Sequence, residues 1–244
     1  MIKLFYSNIK DLDLNKGYLK VSSQRKSKID NFRFEKDKKL SCGVELLLLK
    51  VLKDIGINNP IFKLDKNNKP YLSNYQNIYF NLSHSKDLIA CGISDSPLGV
   101  DIEYNDPNID LNIAKHYFFN KEYQGIINSK KPSDEFFNYW VLKESYMKYT
   151  GLGFKLELDS FEIKINKNND TINKNTINKN TINKNIINKN TNVYYNNINL
   201  VINNQTNNNI KFNLFNLNEY GYKLAIASKY DVKEIIEVDA KDLI

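Results

Sequence analysis

At 244 residues, 41% of them hydrophobic, the chain is long enough to bury a core without disulfides or a structural metal. Its two cysteines, Cys42 and Cys91, are too few for a disulfide framework and read as buried thiols. The formal net charge of +7 is weak evidence for a nucleic-acid partner, because Lys167, Lys174, Lys179, Lys184 and Lys189 face a single acid, Asp170, within one low-complexity stretch.

The opening residues, MIKLFYSNIKDLDLNKG, contain no apolar run of signal-peptide length, and no later segment approaches the roughly 18 apolar residues of a membrane span. A soluble cytoplasmic protein, not bound to membrane or nucleic acid, is the expectation. A first strand (IKLFYS) leads into a basic helical stretch, and SCGVELLLLKVLKD (41–54) reads as an apolar helix ended by Gly56. Three strand-like runs follow: NIYFNLSHS, LIACGIS and LGVDIEY. The second part repeats the theme with a helix around LNIAKHYFFNKEYQGII, another at about 134–150, and a strand SFEIKI. Strands IKFNLFNL, YKLAIAS and EIIEVD close the chain. The pattern predicts an α+β fold of two similar α/β halves related by pseudo-twofold symmetry, each with an antiparallel sheet packed on helices. The halves are placed at 1–105 and 106–244. Residues 171–190 repeat the unit TINKN with minor change, and Asn-rich sequence continues to about 209. Period five matches neither a helix nor a solenoid, so about 166–209 reads as a floppy loop insertion.

Chemistry-bearing residues concentrate in three places. In GVDIEY, strand alternation sends Val100, Ile102 and Tyr104 to one face and Asp101 and Glu103 to the other, the two carboxylates about 7 Å apart. In FFNYWVLKESYMKY, Phe137, Trp140, Val141, Glu144 and Lys148 share one helical arc of about 100°. Two charges therefore lie on the face of the only Trp. An exposed i,i+4 ion pair is worth a few tenths of a kcal/mol, whereas burying an unpaired charge costs several, so charges kept on this face point to a metal or phosphate. Asp101, Glu103 and a third carboxylate would make an all-oxygen site suited to Mg²⁺, while His84 and His116 with no paired cysteines argue against zinc. Finally, Ser83, His84 and Ser85 cluster at a strand end suited to gripping an anion. Lys69, Arg25, Lys26 and Lys28 are collectively candidates for a ligand with several phosphates.

The ordered set Lys69-Pro70, FNLSHS, GVDIE and WVLKESYMKYTGLG resembles the 4′-phosphopantetheinyl transferases, in particular the longer single-chain class that activates surfactin synthetase. It runs in register from the first strand to the last, the Asn-rich segment excepted. The resemblance implies transfer of phosphopantetheine from coenzyme A to a serine of an acyl- or peptidyl-carrier protein, releasing 3′,5′-ADP. It implies Mg²⁺ held by Asp101, Glu103 and Glu144. Glu144, directly or through a metal-bound water, is implied as the base for the carrier serine, and Lys148 as the group that neutralises or protonates the leaving phosphate. It further implies coenzyme A contacts at Lys69, Ser83, His84 and Lys143, and binding of the 3′-phosphate near Arg25, Lys28 and Ser41. A monomer is expected, since two similar halves supply within one chain the cleft that shorter relatives build between subunits. The rival readings are another Mg²⁺-dependent phosphoryl transferase or nuclease, and a non-catalytic coenzyme A or carrier-binding module with a decayed site.

Overall fold

The computed structural model describes residues 2–166, 191–195 and 198–244. The chain opens with β1 (Ile2–Asn8), followed by helices α1 (Leu14–Lys20), α2 (Ser23–Asp30) and α3 (Glu35–Asp54). Strands β2 (Phe62–Leu64) and β3 (Pro70–Leu72) make a small hairpin, and β4 (Tyr79–Ser85), β5 (Leu88–Ser94) and β6 (Leu98–Tyr104) follow. Helices α4 (Asn112–Tyr117), α5 (Asn120–Ile127) and α6 (Pro132–Thr150) precede β7 (Glu162–Ile165). The remaining described strands are β8 (Thr191–Tyr195), β9 (Ile198–Ile202), β10 (Gln205–Asn207), β11 (Lys211–Leu217), β12 (Tyr222–Ser228) and β13 (Val232–Glu237).

Four layers result: α3, one sheet, a second sheet, and α6. The first sheet has the order β13-β1-β5-β4 and the second β6-β12-β11-β8. Alternation along the strands builds the three cores between the layers. In β1, Phe5 turns toward α3, while Ile2, Leu4 and Tyr6 turn toward the second sheet. In β12, Tyr222, Leu224 and Ile226 meet the first sheet, whereas the small Ala225 and Ala227 lie under α6. The α+β expectation of two halves with helices and antiparallel sheets holds.

The strands, however, cross the expected division at residue 105. β6 precedes it but pairs antiparallel with β12, and β13 pairs parallel with β1, giving the first sheet one parallel edge. Burial of Ile235 between the sheets favours this exchange. α3 starts six residues earlier than expected, with Glu35 and Asp37 in its first turn favouring the positive end of the helix dipole. The expected helix around 111–127 is two helices, because Phe118 leaves helical geometry to stack, buried, on Phe136 at 5.5 Å. α6 begins with Pro132 at its first turn and stops at Gly151, whose φ of 71° is the left-handed conformation common after a helix.

The expected insertion needs correction over its last part. Residues 191–195 form β8, which pairs with β11, and residues 198–207 form β9 and β10, with β9 paired to β7 through Ile198–Val201. Ile198, Leu200 and Val201 are buried, and the first two join the α6 core, so this stretch has the apolar face that the TINKN repeat lacks. The repeat itself lies outside the described residues. Among the described residues no helix is long and apolar enough to cross a membrane.

Candidate active site

The site lies on the helix-facing side of β6, where α6 rests on the strand. A glycine makes this contact possible. A Cβ on Gly99 would stand 2.0 Å from the Ser145 carbonyl oxygen and 2.2 Å from the Tyr149 nitrogen, so α6 approaches β6 backbone to backbone. Asp101 and Glu103 lie two and four residues beyond Gly99, on the same face, and meet the α6 face that carries Glu144 and Lys148. The half-exposed polar strand face that composition alone would allow is instead covered: Asp101 is 2% exposed.

Lys148 reaches across to β6 and does not pair with Glu144 one turn away. Its Nζ donates to Asp101 Oδ1 at 2.6 Å and to Ser83 Oγ at 2.9 Å. Ser83 in turn donates to Asp101 Oδ1 at 2.9 Å. Ser85 Oγ donates to Glu103 Oε2 at 2.6 Å. These serines belong to a regular device. The edge of β6 that faces β4 has no backbone ladder with it. Instead the N–H groups of Val100, Ile102 and Tyr104 donate to the side chains of Asn81, Ser83 and Ser85, alternate residues of β4. The FNLSHS motif thus joins the two sheets through side chains and holds both β6 carboxylates.

Electrostatics single out the carboxylates. Burial, then the nearby Asp101 and Glu144, push the Glu103 carboxyl up to about 7, against the Ser85 hydrogen bond and Lys148, which hold it down. Glu144 is also raised, by burial and by Asp101, with Lys148 opposing. Asp101 Oδ2 is buried and has no hydrogen-bond partner among the described residues. Three carboxylates in mutual repulsion, with one lone-pair-bearing oxygen unsatisfied, suit a small hard cation. The charge and donor chemistry therefore fit Mg²⁺, although among the described residues no three acidic, histidine or cysteine side chains already stand in one coordination shell.

Beside the carboxylates is a group of basic side chains. His84, at the end of β4, is held below its ordinary pKa by burial, then by the charges of Lys148, Lys28 and Arg25. Lys28 is lowered by burial and by Arg25. Groups that disfavour one another's charge in this way are relieved by an anion. Arg25 is braced by Glu45, whose Oε2 accepts its Nε at 2.7 Å, and by Ser41 Oγ at 3.4 Å. Ser41 is buried beneath the guanidinium, so it supports Arg25 rather than facing solvent. A hollow of about 300 Å³ opens beside Glu103, lined in part by Ser85, Lys86, Tyr104, Phe137 and Trp140. Trp140 stacks on Phe136 at 5.6 Å.

The side chains of two residues expected to contact coenzyme A are engaged within the fold. Lys143 is fully buried on another side of α6, where its Nζ pairs with Glu122 at 2.9 Å and donates to the carbonyls of Leu158 and Phe161 at 2.8 Å each. Lys143 points about 100° away from Glu144 and about 140° away from Lys148 around the helix axis, and on that side Glu122 of α5 stands against it. Lys69 donates to two backbone carbonyls, those of Leu98 and Lys148. Sequence reasoning overlooked Gly99, Asn81 and Glu45. Glu45 carried a legible signal, since it interrupts the apolar run VELLLL as Glu144 interrupts its own helix. Gly99 and Asn81 stand inside quoted motifs, but their work depends on contacts between distant segments.

Comparison with known proteins agrees with this geometry. The pattern of the 4′-phosphopantetheinyl transferase superfamily matches residues 97–195, and that of the 4′-phosphopantetheinyl transferase N-terminal region matches residues 13–94. Over 153 residues the chain is 32% identical to the 4′-phosphopantetheinyl transferase psf-1 of Bacillus pumilus, which covers 61% of this chain and 65% of that protein. It is 30% identical over 153 residues to the transferase ffp of Bacillus subtilis, covering 61% of this chain and 68% of that protein. It is 31% identical over 163 residues to the L-aminoadipate-semialdehyde dehydrogenase-phosphopantetheinyl transferase of Xenopus laevis, covering 59% and 54%. The matched stretch thus spans about two thirds of the length of the bacterial relatives. The chain belongs to the 4′-phosphopantetheinyl transferase superfamily.

Proposed function

We propose that this protein is a Mg²⁺-dependent enzyme that transfers the 4′-phosphopantetheine group of coenzyme A to a serine of an apo acyl- or peptidyl-carrier protein, and that it acts as a monomer. The observation that carries the reading is the α6-on-β6 contact, which gathers Asp101, Glu103, Glu144 and Lys148 beside the basic side chains of Arg25, Lys28 and His84. The serine oxygen forms a bond to the phosphorus that bears pantetheine, the phosphoanhydride bond breaks, and 3′,5′-ADP leaves. Asp101, Glu103 and Glu144 would hold Mg²⁺, which when bound neutralises the pyrophosphate and so lowers the barrier to displacement. Lys148 lies within reach of the same anionic group and meets the charge that develops on the departing phosphate. Glu144, with its raised proton affinity, takes the proton from the serine oxygen. Arg25, Lys28 and His84 hold the 3′-phosphate of coenzyme A. The nucleophile comes with the carrier, so no nucleophile activated by a base is needed here.

The test is to incubate the protein with coenzyme A, Mg²⁺ and several apo-carrier domains and weigh the carriers. A phosphopantetheine mass increase that disappears with EDTA is the expected result. No increase on any carrier, or nucleotide hydrolysis without a carrier, refutes the reading.

A further inference from the structure

We propose that the ammonium of Lys69 positions Lys148, pinning the last turn of α6 to the start of β6, and is not a phosphate contact. The inference rests on the transferase reading in treating Lys148 as the residue whose placement matters. Lys69 Nζ donates to the Lys148 carbonyl at 2.5 Å and to the Leu98 carbonyl at 3.2 Å. The Lys148 carbonyl is among the last four of α6, which have no partner within the helix and form the negative end of its dipole. Leu98 opens β6, three residues before Asp101. One ammonium therefore holds the backbones of the two segments whose side chains, Lys148 and Asp101, meet at 2.6 Å.

The support for Lys69 is built into its own hairpin. In the β2–β3 turn, Asp65 Oδ1 accepts the N–H groups of Asn67 and Lys69 at 2.8 and 2.9 Å. The Asp65 N–H donates to the Lys69 carbonyl at 3.0 Å, and Asn68 takes a left-handed φ of 63°. Such a turn has little freedom to re-aim the residue that ends it. Beyond α6, Lys155 Nζ donates to Asn67 Oδ1 at 3.1 Å, a second bridge between this turn and the second half. The stem of Lys69 passes Gly151, where an added Cβ would lie 3.5 Å from Lys69 Cδ. Burial lowers the pKa of the Lys69 ammonium, Asp65 opposing, as expected for a cation enclosed by backbone rather than open to a ligand. With two of its three N–H donors engaged, the ammonium has little left for a phosphate.

Three readouts on Lys69→Met, which keeps the stem and removes the charge, test the proposal: calorimetric affinity for coenzyme A with Mg²⁺, the kcat and KM of carrier modification, and amide hydrogen exchange of Tyr149, Thr150 and Gly151. The expected result is an affinity within about twofold of wild type, a kcat lower by about tenfold or more, and exchange faster by about tenfold in the last turn. Lys69→Arg, which retains donors, should restore most of the kcat and the protection. An affinity weakened by about tenfold or more, or unchanged exchange in the methionine variant, overturns the proposal. Wild-type protein that transfers nothing would instead sink the transferase reading, and the exchange comparison would still decide whether Lys69 pins the helix.

Discussion

Gly99→Ala is the sharpest probe of how the site is assembled. The added methyl would meet the Ser145 carbonyl oxygen at 2.0 Å and the Tyr149 nitrogen at 2.2 Å. Both are helix backbone atoms, so no side-chain rotation relieves the overlap. Restoring ordinary contact requires α6 to withdraw from β6 by about 1.4 Å, because van der Waals separation begins near 3.4 Å. Overpacking of this kind costs about 1–3 kcal/mol, and here the upper end is expected because the obstacle is backbone. Withdrawal would also separate Lys148 from Asp101, now 2.6 Å apart, and a misplacement of about 1 Å can lower a rate about 10²-fold. Urea denaturation measures the stability loss, and carrier mass spectrometry under single-turnover conditions measures the rate. A variant with wild-type stability and wild-type transfer would show that α6 does not rest on β6 at Gly99, and the account of the site would fail with it.

Three further outcomes are expected. Glu144→Ala should lose about 10²–10⁴-fold in transfer while its urea midpoint stays near that of wild type, since burial and Asp101 both disfavour its charge; near wild-type transfer would remove its role as base. Lys143→Met should destabilise the protein by about 3–5 kcal/mol, because Glu122 keeps a buried charge without its partner; the urea midpoint measures this, and an exposed ligand-binding lysine would show almost no change. Glu103 should make the metal-free protein less stable as pH rises. Its folded-state value of about 7 lies above the ordinary 4.5, so the folded state holds the proton more tightly and the stability present below about pH 4.5 is lost as pH climbs through 7. After allowance for partial exposure the loss is about 1–2 kcal/mol between pH 5 and 8. Urea midpoints in EDTA should fall over that range for wild type and fall less for Glu103→Gln; equal slopes would refute the assignment.

Much of this was legible in the sequence because it depends on local periodicity. Alternation in LGVDIEY sends Asp101 and Glu103 to one face whatever packs on it. A helical period puts Glu144 and Lys148 on the Trp140 face, and the mismatch with amphipathic pattern singles them out as candidates. The strands IKLFYS, LIACGIS, IKFNLFNL and YKLAIAS are all found near their expected bounds, and Cys42 and Cys91 are both buried. The apolar run INLVI, by contrast, lies within an Asn-rich background that hides it, although its alternation is enough to make β9.

What the tertiary structure alone decided are relations between segments far apart in the chain. Lys143 carries the motif spacing of a ligand contact, yet Glu122 and two carbonyls claim it inside the fold. Lys69 carries the charge of a phosphate contact, yet 79 residues further on the end of α6 offers it a carbonyl. β13 returns to pair with β1, and β6 joins the later strands, because burying apolar faces between two sheets outweighs the order in which strands were made. Periodicity determines which side of an element a residue faces; only packing determines what stands opposite it, and in this protein that difference separates Glu144 and Lys148 from their equally charged neighbour Lys143.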